Sequence, residues 1–314
     1  MSEFRDFGKL LPGIKRNILL KDYTTFKIGG KAQFFFVAKT KEELVKTIRM
    51  AKKFKLPFFI LGGGSNVLAA DEGYNGLVIK TQSAKRKAQS NNLKLKTIYA
   101  EAGTPLALVV SEATKNNLTG LEWAVGIPGT VGGAIWGNAG AFKNSMQNIV
   151  KKAEVLDSKT LKIKNFKNKD CKFSYRESIF KKNSNLIILS VTFQLKKGNK
   201  KQIKEKMQEC SNYRKGKQPL NLSSAGSVFK NPPGFSAGEL VERCGLKGKK
   251  VGNVKISEKH ANFIVNLGGG KAKDVKKLIK IIKNKVKNKF GITLEEEIRI
   301  FSYSHLTPPA KMRK

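Results

Sequence analysis

The chain has 314 residues, of which 40% are hydrophobic, so its length corresponds to about two globular domains of roughly 150 residues each. It contains no apolar run of about 18 residues and no N-terminal apolar segment with a cleavage site, so neither membrane spanning nor secretion is indicated and the default expectation is a cytoplasmic protein. Its 62 Lys and Arg residues against 23 Asp and Glu residues give a formal net charge of +39.

This positive charge permits two interpretations. Neutralisation of phosphates dominates nucleic-acid affinity, so a basic nucleic-acid-binding protein is one of them. The other is that lysines cover the solvent faces of an ordinary fold. Basic residues occur along the whole chain, and no basic patch alternates with stacking aromatic residues, which favours the second interpretation and predicts no specific nucleic-acid partner. The positive field would still attract anionic small molecules.

The cysteines indicate neither a disulfide framework nor a metal site. Cys171, Cys210 and Cys244 are odd in number and widely spaced. We therefore expect reduced, structural cysteines and no bound metal.

The first 80 residues show the order strand, helix, strand, loop, strand. Residues 18–38 are rich in strand formers and contain a Gly-Gly turn. Thr40 and Glu43 form a capping box at the start of an amphipathic helix. Residues 58–61 and 76–80 then read as short buried strands. This order predicts a small α/β subdomain.

The loop at residues 62–67, GGGSNV, follows a predicted strand. Three consecutive glycines expose backbone N–H groups, and Ser65 and Asn66 add short hydrogen-bonding side chains, a combination that suits a diphosphate. A plain glycine-rich turn explains the spacing equally well.

The segment at residues 120–142, GLEWAVGIPGTVGGAIWGNAGAF, concentrates glycines in an apolar context. Glycine is conformationally costly unless the backbone approaches another group closely or adopts positive φ. The spacing matches neither the Lys-terminated phosphate loop nor the dinucleotide fingerprint. A closely approached ligand, held in some other fold, is the leading interpretation.

The remaining chain changes character at about residue 200. Residues 93–197 contain mostly alternating, strand-like runs, with one helix that starts at Pro105. A basic helix-like segment at 200–219 leads into a new region. That region contains a helix capped by Ser236, an amphipathic helix at 274–290 and a strand within ITLEEEIRIF at the end.

Six motifs in series resemble one known family. TTFKIGG, LGGGSNVL, GIPGTVGGAIWGNAGAF, SYRES, AGSVFKNP and LEEEIRI occur in this order, and the match runs from about residue 18 to residue 301. Together they are similar to the UDP-N-acetylenolpyruvoylglucosamine reductases, the MurB flavoenzymes. The short spacing after SYRES and after AGSVFKNP resembles the shorter family type, which lacks an inserted lid with a substrate-binding tyrosine.

The resemblance implies an α+β fold, with a vanillyl-alcohol-oxidase-type FAD-binding domain of two α/β subdomains followed by a substrate-binding α+β domain. The expected boundaries are 1–80 and 81–205 for the two FAD-binding subdomains, 206–301 for the substrate-binding domain and 302–314 for a basic tail. We expect noncovalent FAD, since neither of the two histidines lies in a pattern suited to covalent attachment.

The implied reaction is the NADPH-dependent, FAD-mediated reduction of UDP-N-acetylglucosamine enolpyruvate to UDP-N-acetylmuramate, a step of peptidoglycan precursor synthesis. The expected protein is a cytoplasmic monomer with a UDP-sugar substrate. Two alternatives stay open: another FAD-dependent oxidoreductase of the same fold that acts on a sugar or lactone, and the basic nucleic-acid-binding protein considered above.

Hydride addition to an unsaturated carboxylate leaves negative charge at the α-carbon and the carboxylate, so the site needs a cation and an acid. Arg176 in SYRES supplies a planar, permanently charged group. The resemblance assigns Ser227 in AGSVFKNP as the proton donor and Glu297 as the catalytic glutamate. A slip of one residue among Glu295, Glu296 and Glu297 remains open, although strand alternation favours Glu297.

The resemblance also implies binding residues. Lys217 and Asn231 match positions that hold the substrate's nucleotide and diphosphate, with Lys215 and Lys230 left open as alternatives for the lysine. GGGSNV is expected to hold the FAD diphosphate, while the second glycine segment lines the path toward the flavin ring. The expected FAD-binding residues are Gly62, Gly63, Gly64, Ser65, Asn66, Val67, Gly126, Gly132, Gly133, Asn138 and Gly140.

Overall fold

The computed structural model describes residues 11–83, 85–89 and 95–301. Within these ranges the chain forms mixed helix and strand layers in three parts, around one central cleft. The predicted α+β fold class is confirmed. The predicted tail at 302–314 lies outside the described residues.

The first part is a small α/β subdomain. Its sheet has the order β1-β2-β5-β3, in which β5 is parallel to both neighbours and β1 is antiparallel to β2. The predicted helix cap is present, because the Thr40 hydroxyl accepts a hydrogen bond from the Glu43 backbone N–H at 3.1 Å. The elements are β1 (Lys15–Leu19), β2 (Lys31–Ala38), α1 (Lys41–Lys53), β3 (Phe58–Leu61), β4 (Val67–Ala69) and β5 (Tyr74–Thr81).

The second part is a larger antiparallel sheet covered by helices. Its strand order is β12-β11-β13-β7-β6, with β8 paired to β13. The elements are β6 (Arg86–Gln89), β7 (Leu95–Glu101), α2 (Leu106–Lys115), β8 (Leu118–Thr119), α3 (Val131–Trp136), β9 (Gly140–Ala141), β10 (Asn144–Ser145), β11 (Val150–Asp157), β12 (Lys162–Lys167), α4 (Ile179–Lys182), β13 (Leu186–Lys197) and α5 (Lys200–Lys217).

The third part is an α+β domain with the antiparallel strand order β14-β17-β16-β15. Its last strand, β18, leaves this sheet and pairs in parallel with β4 of the first subdomain. The elements are β14 (Ser223–Ser227), α6 (Ala237–Arg243), β15 (Lys250–Val251), β16 (Val254–Ile256), β17 (Phe263–Asn266), α7 (Ala272–Phe290) and β18 (Arg299–Phe301).

The three parts share hydrophobic cores. Phe26 and Leu68 of the first subdomain are fully buried in the core formed mainly by α6, α7 and β16. Leu189 of β13 packs into the core of the first subdomain. Each part therefore buries apolar surface of another, which fixes the walls of the cleft relative to one another.

Two segments that the sequence predicted as strands differ in the structure. The TTFKI run forms no strand, because the Thr24 hydroxyl bonds to Ile28 O at 3.2 Å and Lys27 adopts a φ of 56°, so the segment turns. At the other end, only Arg299–Phe301 is a strand. Glu295 and its neighbours instead follow the edge of the third domain through isolated backbone bonds.

Helix α5 runs unbroken across the predicted boundary at residue 206. It packs on the second subdomain, where Arg214 donates from Nε to Val125 O and from an NH2 nitrogen to Trp123 O, each at 3.1 Å. The structure therefore places this helix with the second subdomain rather than with the third domain.

Candidate active site

A cavity of about 1370 Å³ lies where the three parts meet. Pockets for a single drug-sized ligand span roughly 300–1000 Å³, so this cavity has room for an extended cofactor together with a second molecule. Its walls come from the β3–β4 loop, from the second glycine segment and from β14 with the residues before β18.

Two glycine segments face each other at one end of the cavity. A methyl group added to Gly63 would lie 2.5 Å from Gly129 Cα, and one added to Gly62 would lie 2.5 Å from Thr130 Oγ1. Gly64 adopts a φ of 67°, which other residues rarely take. The predicted close approach of the backbone therefore occurs between the two glycine segments, whose facing glycines carry no side chains.

The β3–β4 loop offers unused hydrogen-bond donors. Within the described ranges, the backbone N–H groups of residues 63–66 donate to no protein acceptor. The buried Thr130 Oγ1 on the facing segment also has no partner there. Lys80 Nζ holds the loop by donating to Gly62 O. Clustered backbone donors and a hydroxyl fit a phosphate-bearing ligand, so the residues present match the diphosphate of FAD.

Most predicted cofactor residues line the cavity. Gly133 has only Thr130 Oγ1 nearby, at 3.7 Å from an added methyl group, so its free side faces open space. Ser65 and Asn66 also use their side chains within the protein, since Ser65 Oγ donates to Pro128 O and Asn66 Nδ2 to Glu297 O, both at 3.1 Å. The lining residues among those predicted are Gly62, Gly63, Gly64, Ser65, Asn66, Val67, Gly126, Gly132, Gly133 and Gly140.

Asn138 differs from the prediction. Its side chain is buried, with Nδ2 donating to Ser174 O at 2.8 Å and Oδ1 accepting from the Gln147 N–H at 3.0 Å. Because both ends of the amide are engaged and the residue lies behind the cavity wall, Asn138 supports the SYRES turn rather than contacting the cavity.

Arg176 reaches the cavity from a tight turn. Ser174 and Glu177 exchange backbone hydrogen bonds at 3.1 and 3.0 Å, and Arg176 between them has a φ of 57°. Its guanidinium donates to Gly140 O at 2.9 Å, and Nε lies 2.8 Å from Glu297 Oε1. The Nε–H is poorly aligned for a hydrogen bond with that oxygen, but the short separation makes an ion pair that occupies this edge of the guanidinium.

Glu297 and Ser227 meet Arg176 on the same wall. The Glu297 N–H donates to Val228 O at 2.7 Å, which places the glutamate beside Ser227, and all three side chains line the cavity. Burial raises the pKa of Glu297, although the charge of Arg176 opposes this shift. The Ser227 hydroxyl has no hydrogen-bond partner within the described part of the chain, so it is available to a ligand.

The structure separates the three neighbouring glutamates. Glu295 forms an ion pair with Lys230, and Glu296 with Lys283 at 2.9 Å. Glu297 alone among the three lines the cavity and pairs with Arg176. The geometry therefore supports the assignment that strand alternation favoured.

The two predicted substrate-binding residues lie outside the cavity lining. Lys217 is exposed at the end of α5. Asn231 is also exposed, and its Oδ1 accepts from the Ala237 N–H at 3.0 Å at the start of α6. Arg214, one helical turn before Lys217, is buried and lines the cavity instead, with its guanidinium over the Phe142 ring at 5.5 Å.

Arg299 is a lining residue that the sequence assignment missed. Its guanidinium lies between the rings of Phe59 and Trp136, at 4.6 and 5.0 Å from their centroids, and burial lowers its pKa. The hydroxyl of the neighbouring Tyr74 is buried without a partner among the described residues. Strand alternation already placed Arg299 on the Glu297 side, and this signal was sufficient to find it.

Comparisons with known proteins agree with this geometry. A family model described as an FAD binding domain matches residues 32–162, and one described as the C-terminal domain of UDP-N-acetylenolpyruvoylglucosamine reductase matches residues 218–301. The fold and the glycine-walled cleft therefore define an FAD-binding protein with a second, dedicated domain beside the cofactor cleft.

Relatives narrow the class to one family. The chain is 44% identical over 281 residues to the UDP-N-acetylenolpyruvoylglucosamine reductase of Caldanaerobacter subterraneus, covering 90% of this chain and 91% of that protein. It is 46% identical to the enzyme of Caldicellulosiruptor saccharolyticus, covering 89% of each. The crystal structure of MurB from Thermus caldophilus matches with a TM-score of 0.76 and 38% identity, covering 92% of this chain and 99% of that one. The chain belongs to the UDP-N-acetylenolpyruvoylglucosamine reductase family.

Proposed function

We propose that the protein reduces UDP-N-acetylglucosamine enolpyruvate to UDP-N-acetylmuramate, with FAD as bound cofactor and NADPH as hydride donor. One observation carries the proposal: Arg176, Ser227 and Glu297 line the same cavity as the glycine-walled cradle, and Arg176 pairs with Glu297 there. The same residues are not required in a flavin enzyme that oxidises a sugar or lactone. The relatives' names favour the reductase over that alternative.

Bound FAD supplies the hydride chemistry between NADPH and the enolpyruvyl ether. Addition of hydride to the β-carbon places an electron pair on the α-carbon and its carboxylate. The positively charged guanidinium of Arg176, which lines the cavity, is placed to stabilise that carboxylate. Because Arg176 also pairs with Glu297, the glutamate orients the guanidinium and keeps it from turning into solvent.

Ser227 is the proposed proton donor to the α-carbon. Ser227 lines the cavity, and a methyl group added to Gly226 before it would meet nothing within 4 Å, so a substrate can approach closely. Proton and hydride together balance the reduction, which converts the enolpyruvyl ether into the lactyl ether and NADPH into NADP⁺.

Lys217 and Asn231 are the proposed contacts to the substrate's nucleotide and diphosphate. Lys217 lies at the end of α5 near the exposed residues 220–222 at the cavity mouth, where a flexible lysine can reach a diphosphate. Asn231 lies on the adjoining loop.

No helix in the described ranges has both the length and the apolarity of a membrane span. A cytoplasmic monomer stays the prediction from sequence.

Half-reactions measured without oxygen test the proposal. The purified protein should be yellow, NADPH should bleach the flavin absorbance, and addition of UDP-N-acetylglucosamine enolpyruvate should restore it. Failure of the enolpyruvyl substrate to reoxidise the flavin would refute the assigned substrate.

Ser227→Ala separates the two steps. Loss of a general acid costs about 10²–10⁴-fold, so reoxidation by the substrate should fall by that factor while reduction by NADPH stays near the wild-type rate. Ser227→Cys keeps a proton donor and should retain part of the reoxidation rate. Equal losses in both half-reactions of Ser227→Ala would contradict the proton-donor role.

A further inference from the structure

One lysine from the third domain holds the turn that carries Arg176. Lys230 is buried, and its Nζ lies 2.6 Å from Glu177 Oε1 and also bonds to Glu295 Oε1. Its backbone N–H donates to Glu295 O at 2.9 Å. Lys230 does not line the cavity, so it contacts neither cofactor nor substrate space directly. It joins the residue after Arg176 to the segment that ends at Glu297.

The turn needs such support. A left-handed φ in a residue with a side chain costs on the order of 1–2 kcal/mol. Arg176 holds this conformation, and Lys181 Nζ braces it by donating to Arg176 O at 3.1 Å and to Glu177 Oε1 at 2.9 Å. Both of these contacts come from the second subdomain itself, whereas Glu297 belongs to the third domain. Lys230 contacts the turn from the Glu297 side, together with the Asn231 N–H, which donates to the Tyr175 hydroxyl at 3.2 Å.

We propose that Lys230 is a positioning residue of the reductase, an interdomain clamp on Glu177 that sets the Arg176 turn against Glu297. The catalytic consequence rests on the proposed function. Without the clamp, the ion pair of Arg176 with Glu297 and the Asn231–Tyr175 hydrogen bond still join the two domains here, but the charged contact to Glu177 from the third domain is lost and the turn can shift. A displacement of about 1 Å is enough to lower the rate of a chemical step about a hundredfold.

The charges favour a permanent clamp. Burial opposes the charge of Lys230, but its bonds to Glu177 and Glu295 outweigh burial and raise its pKa. Burial likewise works against the ionised form of Glu177, and the bonds from Lys230 and Lys181 outweigh it and lower the pKa. The pair is therefore ionised throughout the neutral range, and the clamp stays closed there.

A matched control distinguishes positioning from simple stabilisation. Lys283 pairs with Glu296 at 2.9 Å, on the same short segment, but both partners lie in the third domain and neither contacts the Arg176 turn. Lys283→Met therefore removes a more exposed ion pair from the same segment and leaves the clamp intact.

The test combines hydrogen exchange with kinetics on the FAD-bound protein. For Lys230→Met, we expect exchange in peptides covering residues 174–182 to be about tenfold faster. Its kcat should fall about tenfold to a hundredfold with full flavin content. Lys230→Arg should restore most of both, and Lys283→Met should change neither by more than about twofold. If Lys230→Met does not fold, Glu177→Gln should itself show about tenfold faster exchange at residues 174–182.

Two results would overturn the clamp. One is unchanged exchange at 174–182 in both Lys230→Met and Glu177→Gln. The other is a loss of kcat in Lys230→Met that matches its loss of bound flavin or equals the loss in Lys283→Met. Exchange does not depend on the substrate, so a wild-type protein that is inactive with the enolpyruvyl ether would refute the proposed function while the clamp is still tested.

Discussion

The two ends of the cleft are built in different ways. The cofactor end is made of backbone, with Gly63 of one segment against Gly129 of the other and N–H groups pointing at no protein acceptor. The reacting end is made of side chains, where Arg176 from the second subdomain meets Ser227 and Glu297 from the third domain. A backbone wall tolerates almost no added atoms, whereas a side-chain wall tolerates changes in shape but depends on alignment. The two ends should therefore respond differently to substitution.

The largest effect should come from closing the backbone wall. The methyl group of Gly63→Ala would lie 2.5 Å from Gly129 Cα, and a backbone atom cannot move aside as a side chain can. We expect a loss of about 3 kcal/mol in the free energy of unfolding and a colourless protein. Chemical denaturation and the flavin absorbance of the purified protein measure both. Gly216→Ala is the control, since that helical glycine has open space around it. A yellow Gly63→Ala of normal stability would contradict the close approach.

A smaller effect is expected where the wall faces open space. Gly133→Ala meets no protein atom closer than 3.7 Å and lies within α3, so its free energy of unfolding should stay the same or rise slightly. The added methyl group points into the cavity, and FAD affinity should fall about tenfold. Titration of the flavin-free protein with FAD measures this. Unchanged affinity would show that FAD does not pass Gly133.

The smallest effect concerns the side-chain wall. Burial raises the pKa of Glu297 in spite of the opposing charges of Arg176, Lys181 and Lys230. The unfolded chain therefore releases this proton at a lower pH than the folded protein. Stability from this group is present below the unfolded pKa of about 4.3 and is lost as pH rises through the folded value.

Glu297→Gln removes the carboxyl group whose ionisation destabilises the folded protein. The Tm of the variant should therefore exceed that of the wild type by up to about 4 °C at neutral pH. The difference should shrink toward pH 4, while turnover is lost because Arg176 is no longer oriented. Thermal unfolding of both proteins between pH 4 and 8 measures the trend. A variant that is less stable than the wild type at pH 7 but equal to it at pH 4 would mean that the attraction of Arg176 outweighs burial.

At the backbone-made end, the glycines of the sequence predicted a close approach, which the structure shows between Gly63 and Gly129. Glycine is itself the signal there, because no other residue allows such an approach, and ten of the eleven predicted cofactor residues line the cavity. The exception, Asn138, shows the limit of this inference. An asparagine beside glycines suggests a ligand contact, but its amide is satisfied by Ser174 O and the Gln147 N–H, which only the fold brings near.

The side-chain end could be predicted only through the family resemblance. Arg176 and Glu297 are 121 positions apart, and no local pattern reports that a turn and a strand end will meet. Arg214 was missed for the same reason, since it is buried on a mostly exposed basic helix. Lys230 was named only as an alternative substrate-binding lysine, because its burial between Glu177 and Glu295 depends on the fold.

The parallel pairing of β18 with β4 has a consequence for the order of events during protein synthesis. Asn66 sits between the cofactor loop and β4, and it binds Glu297 O and the Arg299 N–H. A ribosome that has made only the first two subdomains has produced every glycine of the cradle but not the strand that completes it. We therefore expect the growing chain to acquire its flavin only after Phe301 has emerged, and prematurely ended chains to remain without colour.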